Sequence, residues 1–148
     1  MRALWGLVLL AGCAAKAPLP EVPVPLRNPT VQVASQADAT LDRLQGDWIV
    51  LQGAGMPAGS RLRIDGQGVQ VNGTRLSFVP EGYGRFRLGE QAVWVHWLDA
   101  DNRTAALGDP AGGRVWIMDR GGKPAERLAA AREILEWYGY DLSRMEAK

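Results

Sequence analysis

The chain has 148 residues, 47% hydrophobic and 22% charged, which is the composition of an ordinary globular protein rather than a disordered one. Seventeen Lys and Arg against 16 Asp and Glu give a net charge of +1, and a chain so balanced lacks the basic surplus that phosphate neutralisation needs, which argues against nucleic acid as a partner. One small domain is the expectation. Met1-Arg2 followed by the apolar run Ala3 to Ala11 has the layout of an export signal, with a basic start, an apolar stretch and small residues at the cut. The folded domain is therefore sought after residue 12.

Leu10-Ala11-Gly12-Cys13 resembles the lipobox of bacterial lipoproteins. The resemblance implies a signal peptide over 1–12, cleavage before Cys13 and attachment of its thiol to diacylglycerol, so that the membrane becomes a partner through a lipid anchor. The alternatives are an ordinary signal or a short membrane anchor with an incidental cysteine, though a spanning helix needs about 20 apolar residues. Cys13 is the only cysteine, so an exported chain can form no internal disulfide. Ala14 stands where an aspartate favours retention in the inner membrane of enteric bacteria, and the resemblance therefore implies the periplasmic face of the outer membrane.

Residues 13–35 hold five of the nine prolines, Pro18, Pro20, Pro23, Pro25 and Pro29. Proline fixes φ and removes a donor, so this stretch reads as an extended, semi-rigid tether, with a proline-rich ligand for a partner groove as the alternative. The domain is expected over 36–148. Asp38 or Ser35 is placed to cap a short helical turn carrying Leu41 and Leu44, ahead of a first strand at Gly46-Asp47-Trp48-Ile49-Val50-Leu51. Strand-like runs then alternate with turn signals. Arg61–Asp65, Val69–Asn72, Arg75–Val79 and Gly84–Leu88 alternate polar and apolar with period two, and Asn72-Gly73 is a strong tight-hairpin signal because both positions need positive φ. Ala92–Leu98 and Ala105–Leu107 are apolar on both faces, and Arg114–Met118 is the last run. Eight short strands joined mostly by hairpin-length turns suit an all-β, up-and-down antiparallel barrel. In the tail, Pro124 fits the first position of a helix, Leu128, Ala131, Leu135 and Tyr138 share one helical face with Ile134 beside them, and Gly139 is placed to end the helix. This α-helix is expected to pack outside the barrel.

Three segments, in order, are similar to signatures of the lipocalins, and most closely of bacterial lipocalins that are outer-membrane lipoproteins. Leu44-Gln45-Gly46-Asp47-Trp48 resembles the Gly-x-Trp of the first strand, and Trp116-Ile117-Met118-Asp119-Arg120 resembles the last-strand segment. Glu136-Trp137-Tyr138-Gly139-Tyr140-Asp141-Leu142-Ser143-Arg144 resembles the end of the family's helix and the Gly-aromatic-Asp stretch after it. The turn Leu98–Ala105 matches less well, with Asn102 where a tyrosine is usual. The resemblance implies that Arg120 packs over Trp48 at the closed end, giving Gly46, Trp48 and Arg120 a structural role. Only 75 residues run from Gly46 to Arg120, fewer than a typical lipocalin uses, so strands and loops must be short.

The alternating strands supply the candidate barrel lining: Leu62, Ile64, Val69, Val71, Leu76, Phe78, Phe86 and Leu88, with Trp97 if the parity of 92–98 places Val95 and Trp97 inward rather than Trp94 and His96. The same residues would equally fill a barrel too small to hold anything. Met56, in the glycine-rich segment 53–59 after the first strand, is a candidate lid residue. His96 is the only histidine, and with no partner residues nearby in sequence it supports neither a metal site nor a nucleophile–base pair; a bond to a backbone carbonyl or to a ligand head group is the expectation. Nothing in the sequence points to a catalytic residue, an enzymatic activity or a cofactor. Three functions remain. The preferred one is a lipid-anchored, lipocalin-like protein binding a fatty acid or lysophospholipid inside the barrel, driven by burial of apolar ligand surface. The alternative is a small-barrel lipoprotein with a filled interior that binds or inhibits a periplasmic protein, and a purely structural role in the envelope is the third.

Overall fold

The computed structural model describes residues 24–147. The expected signal segment 1–12, the expected lipidation site Cys13, and Pro18, Pro20 and Pro23 lie outside the described residues. A four-residue helix, α1 (Leu41–Leu44), precedes the strands β1 (Gly46–Ala54), β2 (Arg61–Asp65), β3 (Gly68–Val71), β4 (Thr74–Leu76), β5 (Phe78–Gly82), β6 (Arg85–Leu88), β7 (Gln91–Leu98), β8 (Thr104–Gly108) and β9 (Val115–Asp119). Helix α2 (Glu126–Trp137) comes next, and a two-residue strand β10 (Glu146–Ala147) adds to β1.

The strands hydrogen-bond in the order β4-β3-β2-β1-β9-β8-β7-β6-β5, each pair antiparallel. Its two ends, β4 and β5, are successive pieces of one stretch of chain, so the sheet curls into a nearly closed barrel. Nine strands on this path replace the eight expected from the sequence, because the run Arg75–Val79 divides at Ser77. There the chain changes partner: β4 pairs with β3 and β5 with β6, while the Ser77 carbonyl accepts the Gly89 N–H at 2.9 Å. Between β3 and β4, Asn72 and Gly73 have φ of +50° and +86°, the double positive φ that their tight hairpin requires.

Two bulges decide which side chains enter the barrel. On β7 the register shifts between Val95 and Trp97, so alternation is interrupted at His96. Val93, Val95 and Leu98 face the interior, while Trp97 packs in the outer cluster beneath the helix. Neither inward set expected from the sequence survives intact, and Trp97 does not line the barrel. On β1 the shift lies between Val50 and Gln52. Trp48 and Val50 point inward before it, and Leu51 and Ala54 join the outer cluster after it.

Helix α2 packs on the outer face of β7, β8 and β9. Ala131 and Leu135 are fully buried there with Ala106, Val115, Ile117 and Tyr140, and Leu128 and Tyr138 pack beside them. The helix ends at Gly139, whose φ of +87° lets Tyr140 N–H turn back to the Leu135 carbonyl at 3.0 Å. At the other end of α2 a polar anchor joins helix to barrel. The buried Asp119 carboxylate accepts from Thr104 Oγ1 at 2.6 Å, Arg127 Nη2 at 3.3 Å and the N–H groups of Gly121 and Lys123 at 3.0 and 3.2 Å. Arg127 Nε also donates to Thr104 Oγ1 at 2.7 Å. The expected capping by Asp38 or Ser35 is replaced: Thr40 precedes α1 without a side-chain cap, and Asp38 instead pairs with Arg43 at 3.0 Å.

The greatest departure from the sequence reading concerns the tether. Residues 24–36 lie along the outside of the barrel as a bound arm. Leu26 N–H donates to Gly112 O, Asn28 N–H to Gly139 O and Asp141 N–H to Leu26 O, each at 2.8 Å, and Gln36 N–H reaches Val95 O at 2.7 Å. Arg27, buried, holds the carbonyls of Tyr138 at 2.8 Å, Pro110 at 3.0 Å and Val31. The folded unit therefore extends to residue 24, and Pro25 and Pro29 belong to it rather than to a spacer.

Burial pushes the Asp119 carboxyl up, but hydrogen bonds from Thr104, Arg127 and Gly121 and the Arg127 charge outweigh it and hold its pKa below the usual 3.8. A carboxylate lowered on folding contributes stability above its unfolded pKa that is lost as pH falls through the folded one. Asp119→Asn is expected to cost about 1–3 kcal/mol at pH 7. Urea titrations from about pH 7 to 2 should show the gap between variant and parent closing below pH 3.8; a constant gap would exclude the ionised carboxylate as the cause.

Candidate functional site

The barrel interior is the place where the candidate lining residues converge. Leu62, Ile64, Val69, Phe78, Phe86 and Leu88 are all buried in one cluster, with Val71 partly buried against it. Leu76 is opposite Val69 in register but 37% exposed and outside the cluster, because β4 ends there at the seam with β5. Trp116, Met118, Trp48 and Leu107 reach the same cluster from β9, β1 and β8. The rings of Phe78 and Phe86 stack with centroids 4.6 Å apart, 5° from parallel. Every strand on the barrel path except β4, whose three residues are all exposed, thus sends apolar side chains to a shared centre. Trp116 and Met118, which the sequence carries no parity signal to place because all of β9 is buried, complete that centre.

Both ends are crossed by chain. At one, Met56 is buried in the core cluster although it sits on the connection between β1 and β2. Gly53 faces inward beside it, where a Cβ would strike the Met56 carbonyl, so the loop folds tightly over the opening. At the other, α1 brings Leu44 into the core, with Ala39 before it. Arg120 closes this end. Its guanidinium lies over the Trp48 ring, 4.0 Å from the centroid, and donates to Asn102 O and Gln45 O at 2.6 Å and to Arg43 O at 2.9 Å. Trp48 Nε1 donates to Leu44 O at 2.7 Å. Gly46 has φ of +108°, and a Cβ there would come within 2.7 Å of Arg120 Nη1. The glycine, the tryptophan and the arginine are therefore one packing unit.

His96 lies outside the barrel, beneath the arm. Its Nδ1 is 2.7 Å from Ala34 O and its Nε2 is 2.8 Å from the Tyr140 hydroxyl, which is also 3.0 Å from Asp109 O. Burial, opposed in part by the Ala34 bond and reinforced by the Arg27 charge, lowers the imidazole pKa to about 4. Among the described residues no three His, Cys, Asp or Glu side chains are grouped to hold a metal ion. Asp99, in the turn after β7, caps that turn through Thr104 N–H at 2.7 Å and touches Arg103 at 3.5 Å.

On the outer surface, exposed apolar side chains collect at Leu76, Val79 and Tyr83 along β4, β5 and the turn after it, and at Trp137 on the far end of α2. Arg85 stacks on Trp94 at 3.9 Å on the adjoining face. A groove of about 480 Å³ runs between β1 and the start of α2, lined by Ile49, Leu51, Gly122, Pro124 and Leu128 among others. No protein-family model matches the chain, and no curated protein matches it at a significant level.

Removing the guanidinium strands three carbonyls and uncovers Trp48. Arg120→Ala is expected to lower stability by about 2–4 kcal/mol, from cation–π contact and charged hydrogen bonds together. Gly46→Ala combines a positive φ with a blocked Cβ and should cost about 1–3 kcal/mol. Chemical denaturation of both single variants and the double variant checks the coupling: a double variant whose loss equals the sum of the singles would mean that Gly46 and Arg120 act independently.

Proposed function

We propose that this protein is a lipid-anchored, lipocalin-like envelope protein with a filled barrel, which acts through its outer surface by binding another protein of the periplasm. The observation that carries the reading is the interior itself. Trp116, Phe78, Phe86, Trp48, Met118 and Met56 occupy the space that a ligand would take, in one buried cluster. Such a core resembles that of a small barrel packed by its own side chains. The contact of Arg120 with Trp48 and the helix against β7–β9 support the lipocalin-like assignment. Placement at the outer membrane rests on the Leu10–Cys13 motif with Ala14 behind it. In this reading the protein is a binding protein and not an enzyme.

The anchor would also limit the distance of the barrel from the membrane. Val24 shares a cleft with Ala54, Gly55 and Gly112, at the barrel end that Met56 covers. Val24 lies 11 positions beyond Cys13, a length that spans at most about 40 Å when fully extended. Val24 would therefore stay within about 40 Å of the bilayer.

A fatty acid or lysophospholipid inside the barrel is the second reading, favoured by one feature: Met56, which covers the opening, belongs to the connection between β1 and β2 and not to a strand of the sheet. A single set of measurements separates the two. The full-length lipoprotein, extracted in detergent, is examined by native mass spectrometry and titrated with palmitate and lysophosphatidylcholine while tryptophan fluorescence is followed. The filled barrel is expected to show no non-covalent lipid and no saturable response, whereas stoichiometric lipid or micromolar saturation, strengthened in Met56→Ala, would establish the carrier instead. In cells, a photoreactive residue placed at Val79, Tyr83 or Trp137 should give a discrete protein adduct from one patch. Absence of any adduct from all three would count against a protein partner at these surfaces.

A further inference from the structure

Exposed charge on this molecule is sorted by side. On the β5–β6 hairpin, Arg85 and Arg87 are both exposed. Arg85 lies over the Trp94 ring at 3.9 Å and donates to Ser35 Oγ at 3.1 Å, and Arg87 donates to the Glu90 carbonyl. Glu81 stands exposed on the same hairpin, yet among the described residues neither arginine is in an ion pair. The outer stripe of α2 is the reverse. Glu126, Ala129, Glu133, Glu136 and Trp137 are exposed there, and none of these glutamates has an ion-pair partner among the described residues. Both arginines of the helix are engaged with the barrel, Arg127 at Thr104 and Asp119, and Arg132 at Gln52.

Each patch also carries an aromatic ring that the fold leaves outside. Tyr83, 76% exposed at the hairpin tip, has φ of +57° between two glycines at positive φ, a backbone conformation that residues with a side chain rarely adopt. Val79 is exposed on the same hairpin. The tip is braced from beneath: Ser35 Oγ donates to Tyr83 O at 2.7 Å, and Gly84 lies so close to Gln36 that a Cβ would strike its carbonyl. Trp137, 77% exposed, ends α2. Beside it Glu136 sits in the last turn, where the helix dipole disfavours negative charge and no basic residue offsets it. Local folding favours neither that tyrosine nor that glutamate, and both suit a partner.

The arm runs from one patch to the other. Asn28 N–H bonds to Gly139 O and Val31 packs on Gly139, just beyond Trp137, while Ser35 and Gln36 meet the hairpin. Residues 28–36 along this line carry no charge. That matters at a two-fold axis, where each residue faces its own copy and a charge would meet its like. We propose that the occupant of this face is a second copy of the chain. The two molecules pack across their arms about a two-fold axis, with Arg85, Arg87 and Tyr83 of each against Glu133, Glu136 and Trp137 of the other. An axis midway between two patches exchanges them, so both contacts form together and the assembly closes at two.

Guanidinium groups already stacked or bonded at one edge keep donors free for a carboxylate, and the Trp137 face offers a second seat for a cation. The contacts are charged and lie at the rim of the molecule, so the pairing is sensitive to salt. It uses the outer surface but rests neither on the anchor nor on the reading that another periplasmic protein binds there. The purified chain alone therefore tests it.

Sedimentation velocity of the full-length chain in detergent, with micelles in excess over protein, is run over about 1–100 μM chain. A monomer–dimer equilibrium is expected, its dissociation constant rising about tenfold between about 50 and 500 mM NaCl. Arg85→Glu with Arg87→Glu, and separately Glu133→Arg with Glu136→Arg, should each leave monomers. An equal mixture of the two double variants should form dimers again, because every contact in the mixed pair joins opposite charges. The helix changes lie on its solvent side and suit its dipole, so that variant should unfold at a denaturant midpoint no lower than the parent's. Should loss of the Arg85 stack prevent folding, Arg87→Glu alone takes its place in the mixture. A monomer throughout, a dimer that neither reversal weakens, a mixture that stays monomeric, or particles that grow past two copies with concentration would each overturn the proposal. None of these outcomes touches adduct formation with another protein in cells, which tests the earlier reading separately.

Discussion

The stacking of Arg120 on Trp48 is the contact around which one end of the molecule is assembled. A guanidinium half removed from water needs acceptors on every edge, and it finds them in the carbonyls of Gln45, Arg43 and Asn102. These come from the entry to β1, from α1 and from the turn between β7 and β8, so one side chain on the exit of β9 ties three chain crossings to the same point. Gly46 is the condition for it, because a side chain there would occupy the arginine's place. From this end β1 pairs with β2 beginning at Gly46 and with β9 beginning at Ile49, up to the bulge between Val50 and Gln52.

The short chain between Gly46 and Arg120 determines what the interior becomes. Strands β3, β4 and β6 have only three or four residues each, and the run that forms β4 and β5 is broken at Ser77. A barrel of such small height encloses little volume, and two tryptophans, two stacked phenylalanines and two methionines fill it. Native-like packing density leaves little room for a guest among side chains of that size. Met56 completes the core from a loop, which couples closure of the second end to burial of an apolar side chain. On the outer surface the exposed large apolar residues are Leu76, Val79 and Tyr83 along β4, β5 and the turn after it, Trp137 at the end of α2 and Val24 in the arm.

On that covered side, the second cluster depends on partners distant in sequence. Leu26 comes from the arm, Ile117 and Val115 from β9, and Leu135 from α2. Arg27 serves the same assembly through backbone carbonyls alone, and Asp119 with Thr104 and Arg127 anchors the opposite end of the helix. His96 sits at the junction of arm, barrel and tail, bonded to the Ala34 carbonyl and to the Tyr140 hydroxyl.

The sequence by itself determined the local periods. Alternation along Arg61–Asp65 and Arg85–Leu88, the Asn72-Gly73 hairpin, the helix beginning beyond Pro124 and its end at Gly139 all obey rules that act within a few residues, and so they are legible. The pairing of Trp48 with Arg120 is legible only through resemblance, since 71 positions lie between them. Tertiary structure alone decided the rest. A bulge reverses every side chain beyond it, and the bulges at Leu51 and His96 arise from fitting neighbouring strands around a closed ring, which no period within β1 or β7 encodes. Leu76 keeps its parity but loses its cover to the seam. The arm reads as a free tether because proline content reports an extended backbone and not whether that backbone has hydrogen-bonding partners; Gly112, Gly139 and Val95 supply them only once the barrel and helix have come together.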